Sequence, residues 1–229
     1  MNSLNFSIVV ESLPFLWEGL KFSLTLTLVA FVIGMVLGTG LALVQHLNVP
    51  VAAQFARGYT AVIRSIPLIL VLFWFFFLVP IVIGHLNGTG RPVPIGASLT
   101  AFITFGLFEA AYYSEIIRGG LRSLPRGQYE ASKALALPTW KIYWYVALPQ
   151  VLRVVSPIIL SQTIILFQDT SLVYVLSLTD LFGAASKVAR VHQSLTEMYL
   201  AVAAIYLVIC VAASQLVTLL RSRTANKTL

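Results

Sequence analysis

Residues 22–44 read FSLTLTLVAFVIGMVLGTGLALV, a run without one charged side chain. A membrane-spanning helix needs about 20 mostly apolar residues, because the hydrocarbon layer is roughly 30 Å thick and a helix rises 1.5 Å per residue. Hydrocarbon offers backbone amides no partners, so a run of this length is read as a helix whose amides satisfy one another. The rest of the chain agrees: its 229 residues are 59% hydrophobic and 10% charged, with a mean hydropathy of +0.90. Soluble domains carry roughly 45–50% apolar and about 25% charged residues. An ordinary soluble domain is excluded, and so is a solvated coil. The fold class is an all-α membrane protein, and its length leaves no room for a sizeable extramembrane domain.

Working outward from that run, further spans are read at about 63–85, 95–118, 150–179 and 197–220, with the first taken as about 20–45. Five spans in one transmembrane domain, 1–229, is the expectation. Residues 1–21 lack the basic start and small-residue cleavage site of a removable signal and are read as a short interfacial segment with Trp17 at headgroup level. Gly34 and Gly38 have a spacing that lets helices approach closely. Neither an internal repeat nor a low-complexity tract is present, which weakens a secondary-carrier reading, since many carriers are built from duplicated halves.

The formal charge of +7 is explained by topology without nucleic acid. With five spans, Arg57, Arg64, Arg118, Arg122, Arg126, Lys133, Lys141, Arg153, Arg221, Arg223 and Lys227 fall on one side. Lys21, Arg91, Lys187 and Arg190 fall on the other, eleven against four. Basic residues collect on the cytoplasmic side, which puts the N-terminus outside and the C-terminus in the cytoplasm. The basic tail from Arg221 suits anionic headgroups. The lone Cys210 is a small apolar residue in a span, and His46, His85 and His192 lie in three separate loops, so no metal site is expected.

One loop is too polar to span. Residues 127–138, GQYEASKALALP, hold strong helix formers from Gln128 to Leu137, with Gly127 and Pro138 as punctuation, and predict a short cytoplasmic helix over about 128–138. Glu130 is read into its first turn, where the helix dipole favours an acid. Small side chains at Ala131, Ser132, Ala134 and Ala136 make a thin helix suited to a groove on another protein.

These residues resemble the EAA loop of ATP-binding-cassette importer permeases, a Glu-Ala-Ala triplet followed by Gly and, downstream, Leu-Pro. Glu130 and Ala131 match, Ser132 replaces the third residue, Ala136 stands at the Gly position, and Leu148-Pro149 supplies the end. Arg64-Ser65-Ile66-Pro67, residues 108–120 (FEAAYYSEIIRGG), Arg126-Gly127-Gln128, Leu148-Pro149-Gln150 and residues 167–178 (FQDTSLVYVLSL) are similar, in order and spacing, to the polar-amino-acid subfamily. Within it they look most like a membrane subunit of glutamate/aspartate importers. The resemblance implies a type I importer permease in a bacterial inner membrane, which is not itself an enzyme. Its partners would be a homologous second permease subunit, a dimer of ATP-binding-cassette ATPases, an external solute-binding protein and the amino acid. It would carry no cofactor, ATP and Mg being held by the ATPase, and this chain has no phosphate-binding loop. Gly127, Glu130, Ala131, Ser132 and Ala136 would dock on the ATPase as a coupling helix.

Polar residues inside spans are candidates for the translocation path. They are Arg64, Glu109, Glu115, Gln162 and Asp169. Each has a structural alternative. Arg64 can snorkel at a cytoplasmic end, Glu115 can pair with Arg118 one turn on, Gln162 can serve helix packing, and Asp169 can turn or cap its segment. Glu109 and Glu115, six apart, do not share a face. The competing function is an ATP-independent carrier or channel for a small polar solute, which would have no need of the helix around Glu130. A membrane enzyme would need a metal cluster or a nucleophile with a base, and neither is legible.

Overall fold

The computed structural model describes residues 6–225, apart from the side chains of Arg126 and of residues 220–225. Lys227 and the end of the basic tail lie outside them. Nine helical elements follow in order among the described residues: α1 Ser7–Glu11, α2 Leu13–His46, α3 Ala52–Arg64, α4 Leu68–Leu86, α5 Ala97–Ser123, α6 Arg126–Ala134, α7 Thr139–Leu176, α8 Leu181–Val191 and α9 Leu195–Ala225. Four of these, α2, α4, α7 and α9, are long and apolar enough to cross a membrane. The fifth expected span is α5, of 27 residues, which is long enough but carries Glu109, Glu115, Arg118 and Arg122. Apolar side chains such as Leu28, Val36, Phe77 and Leu207 are exposed, which for a soluble chain would be costly and for lipid-facing helices is the stable arrangement.

Several boundaries differ from the sequence reading. The segment before Phe22 is no separate interfacial piece beyond α1, because α2 already starts at Leu13; Pro14 sits at its second position, where a missing N–H costs nothing. The second span starts at Leu68, after a break at Ser65–Pro67, and Arg64 ends a separate amphipathic helix, α3, that hydropathy alone overlooks. Two helices contain a wider π-type turn, Trp74–Leu78 in α4 and Ile142–Ala147 in α7. Pro80 and Pro149 follow them closely. A proline ring strikes the carbonyl four residues back, here those of Phe76 and Tyr145, and both lie in the widened turns, which move them aside.

The described helices divide into two compact units: Met1–Phe31, Pro67–Gly106 and Thr163–Gln215 make one, and Val32–Ile66, Leu107–Gln162 and Leu216–Leu229 make the other. In the first unit, Leu16 packs with Leu181, Ala184, Ala185, Ala189, Met198 and Val202. The start of α8 is fixed there by Asp180, whose carboxylate accepts the amides of Phe182 and Gly183, both at 3.0 Å, while Ser23 Oγ accepts the amide of Leu181 at 3.1 Å. Burial pushes the Asp180 carboxyl up to about 6 despite these bonds and the nearby Lys187.

In the second unit, α2 lies directly on α5. A Cβ at Gly34 would come within 2.8 Å of Glu109 Cβ, and one at Gly38 within 2.9 Å of the Ala110 carbonyl oxygen. The glycine spacing therefore serves packing within this chain. Gln45 Nε2 donates to Ser114 Oγ at 3.2 Å on the same seam, and the Tyr59 hydroxyl, pushed up to about 12 by burial, donates to the Leu107 carbonyl.

Candidate functional site

Two groups of the expected site residues come together in the second unit. The first is α6. It is entered through Pro125, extended at φ −60° and ψ 131°, and runs from Arg126 to Ala134, shorter than the expected 128–138. Glu130 is consequently its fifth residue and lies beyond the first turn, so the dipole argument for that side chain does not apply. Glu130, Ala131, Ala134 and Leu135 are exposed, while Ser132 is buried and donates its hydroxyl to the Gln128 carbonyl at 2.7 Å. That bond satisfies the polar atom which Ser132 adds to the motif. Tyr129 anchors the helix on the start of α7, its ring 6.1 Å from that of Tyr143, with Lys133 Nζ 5.0 Å above it. Beneath lies a cavity of about 410 Å³ lined by His46, Arg122, Gln128, Tyr129, Glu130 and Tyr143 among others.

After α6 the chain reverses at Ala136, which has φ +56°. The left-handed region is where glycine is favoured and where a Cβ is strained. The glycine that the motif carries at this place thus has a backbone reason, and Ala136 adopts the same turn at some cost. Gly127, by contrast, sits inside the helix with open space around it.

The second group is ionic. Glu115 is shared: Arg118 Nε donates to Oε1 at 3.0 Å and its Nη2 to Oε2, while Arg64 Nη1 approaches Oε2 at 3.3 Å. The Arg64 guanidinium also stands 5.6 Å from the centre of the Tyr112 ring, which packs on Phe108 at 5.1 Å. The carboxylate of Glu115 thus ties the C-terminal end of α3 to α5.

Glu109 and Gln162 meet away from that triad. Glu109 is 1% exposed, and Gln162 Nε2 lies 3.2 and 3.4 Å from its two carboxylate oxygens. Asp169 belongs to the other unit and is half-buried. It ends the α-helical part of α7, where the coil tightens to 3₁₀ over Thr170–Leu176, and its side chain caps nothing there. Sequence reasoning missed Arg57, Gln45 and Thr60, which line a pocket of about 550 Å³ together with Arg64, Glu115, Arg118 and Arg122. The seven-residue interval between Arg57 and Arg64, two turns of helix, is the signal that could have found it. Among the described residues no group of three or more His, Cys, Asp or Glu is placed to hold a metal.

The family model described as "Binding-protein-dependent transport system inner membrane component" matches residues 34–226. The chain is 44% identical over 225 residues to the glutamate/aspartate import permease protein GltK of Escherichia coli O6:H1, covering 98% of this chain and 100% of that one. It is 34% identical over 175 residues to the probable glutamine ABC transporter permease protein GlnP of Bacillus subtilis, covering 76% of each. Among solved structures, an amino acid ABC transporter crystallised with histidines superposes with a TM-score of 0.83 at 27% identity, covering 97% of this chain and 100% of its own.

Proposed function

The chain belongs to the family of binding-protein-dependent transport system inner membrane components, and from that premise we propose that it is the permease subunit of an ATP-driven importer for the acidic amino acids glutamate and aspartate. It is a multi-pass inner-membrane transport subunit and not an enzyme. The observation that carries the substrate reading is the 44% identity, over essentially the whole of both chains, to a permease named for glutamate and aspartate. A relative named for glutamine is more distant, at 34%.

The working assembly pairs this chain with a homologous second permease subunit, two ATPase subunits that hold ATP and Mg, and an external protein that delivers the amino acid. The chain acts as one permease domain with its N-terminus outside. The exposed face of α6, with Gly127, Glu130, Ala131, Ser132 and Ala136 in and after it, seats in a cleft of the ATPase. Ser132 acts from the buried side by holding the turn. The Tyr129–Tyr143 contact passes movement of α6 to α7, so closure of the ATPases reaches a spanning helix through packed side chains. The polar residues Arg64, Glu115, Glu109, Gln162 and Asp169 serve the path. The Glu115 bridge between α3 and α5 is an ion pair able to open without unfolding either helix.

Competition uptake tests this reading. Cells lacking the chain take up labelled glutamate when it is restored, aspartate competes at similar concentration, and arginine does not. Uptake competed by arginine or glutamine and not by aspartate would overturn the substrate class. Uptake by this chain without any ATPase would make it a carrier.

A further inference from the structure

α3 and α5 bring more positive charge to one pocket than the chain neutralises. Arg57 and Arg64 share a face of α3, and Glu115, Arg118 and Arg122, spaced by three and then four, share a face of α5. Together with Gln45 and Thr60 they line about 550 Å³, inside the range of roughly 300–1,000 Å³ typical of small-molecule sites. Four guanidinium groups meet one carboxylate there. Glu115 is already divided between Arg64 and Arg118. Among the described residues, Arg57 donates to the neutral side-chain oxygen of Asn48, and neither it nor Arg122 has a carboxylate within bridging distance. Like charges gathered in one pocket repel one another and raise the local concentration of anions.

We propose that this pocket is a binding site for a small α-amino dicarboxylate, held through its carboxylates by Arg57 and Arg122 with its ammonium toward Glu115. Guanidinium groups present planar forks that match carboxylates two bonds at a time, which ammonium groups cannot do. A single acidic residue among four arginines suits a ligand carrying two negative charges and one positive. Only the ligand's identity and its side of the membrane rest on the transport reading. On that reading the pocket opens to the cytoplasm, so it receives the amino acid as it leaves and refills when cytoplasmic glutamate is high.

The test uses the whole complex, this chain with its partner permease and ATPases and without the external binding protein, in lipid nanodiscs. Phenylglyoxal modifies accessible guanidinium groups, and peptide mass spectrometry reads each arginine separately. Millimolar L-glutamate is expected to slow modification of Arg57 and Arg122 several-fold, with Arg91 unaffected, while succinate and inorganic phosphate protect less. In calorimetry, the double variant Arg57→Gln/Arg122→Gln is expected to bind glutamate at least about tenfold more weakly, since it loses both charge-assisted forks. Equal modification with and without glutamate overturns the proposal. So does equal protection by phosphate, which would mark a general anion or lipid-phosphate site, and so does unchanged affinity in the double variant. ATP-driven glutamate uptake by the same complex, with binding protein restored, separates the two readings. Uptake without protection removes this site and leaves the transport function standing, and protection without uptake does the reverse.

Discussion

Replacing Glu115 by Gln removes the one carboxylate that joins α3 to α5, and the geometry sets the size of the loss. Arg118 holds Glu115 through two nitrogens, and these side chains are 19% and 22% exposed. Charge-assisted bonds with this little solvent contribute about 1.5–3 kcal/mol. Arg64, at 3.3 Å and 43% exposed, is screened by water, and its share is about 0.2–1 kcal/mol. Glu115→Gln should therefore cost about 2–3 kcal/mol, the amide keeping part of the hydrogen bonding, and lower the melting temperature by roughly 4–12 °C for a chain of this size. Arg118→Gln should cost most of that and Arg64→Gln under about 1 kcal/mol. Differential scanning fluorimetry of the purified complex at a fixed scan rate reads all three. Added salt should shrink the Arg64 effect more than the Arg118 effect. A neutral Glu115→Gln, or Arg64→Gln as damaging as Arg118→Gln, would refute the bridge as described.

Further variants test the packing, the turn and the buried acid. Gly38→Val should destabilise by about 1–3 kcal/mol through overpacking, because its Cβ meets the Ala110 carbonyl oxygen at 2.9 Å. Gly58→Ala, in open space on α3, should stabilise by up to about 1 kcal/mol; thermal melts in which the two moved together would count against the helix seam. At Ala136, left-handed at φ +56°, Gly should be tolerated or slightly stabilising, while Val should cost about 1–3 kcal/mol and loosen ATPase association; a pull-down unaffected by Val would argue against that turn. Because the folded state raises the Asp180 carboxyl from 3.8 to about 6, it binds its proton more tightly than the unfolded chain. The wild type should consequently lose about 3 kcal/mol relative to Asp180→Asn as pH rises from about 4 through 6. Parallel melting curves of the two proteins across that window would contradict it.

Four of the five expected spans were legible as long apolar helices, because hydrocarbon thickness imposes a length and an absence of charge that a single chain displays without neighbours. α3 was not legible in that way, since an amphipathic helix of 13 residues leaves no mark on average hydropathy and its signal is the interval between Arg57 and Arg64. α5 was expected as a span from its length despite its charges, and the charges are the informative part: Glu109 meets Gln162, 53 residues away, and Glu115 meets Arg64 as well as its helical neighbour Arg118. Spacing along one helix announces the Glu115–Arg118 pair, but no local pattern announces partners contributed by another helix. At α6 the sequence pattern located a helix and its exposed small residues. Its end was misplaced because Ala136 is a good helix former that the backbone nonetheless turns left-handed. The family's glycine at that position was the clue, and its meaning is conformational.

On the proposed function, this chain conducts an acidic amino acid only when an ATPase works through α6. The most direct test is labelled glutamate uptake into proteoliposomes holding this chain, its partner permease and the ATPases, with external binding protein, comparing the wild type with Glu130→Ala. The expected result is uptake that requires both ATP and binding protein, is competed by aspartate, and falls sharply in Glu130→Ala while the subunits still assemble. Uptake that proceeds down a gradient without ATP, or that is unchanged by Glu130→Ala, would contradict it.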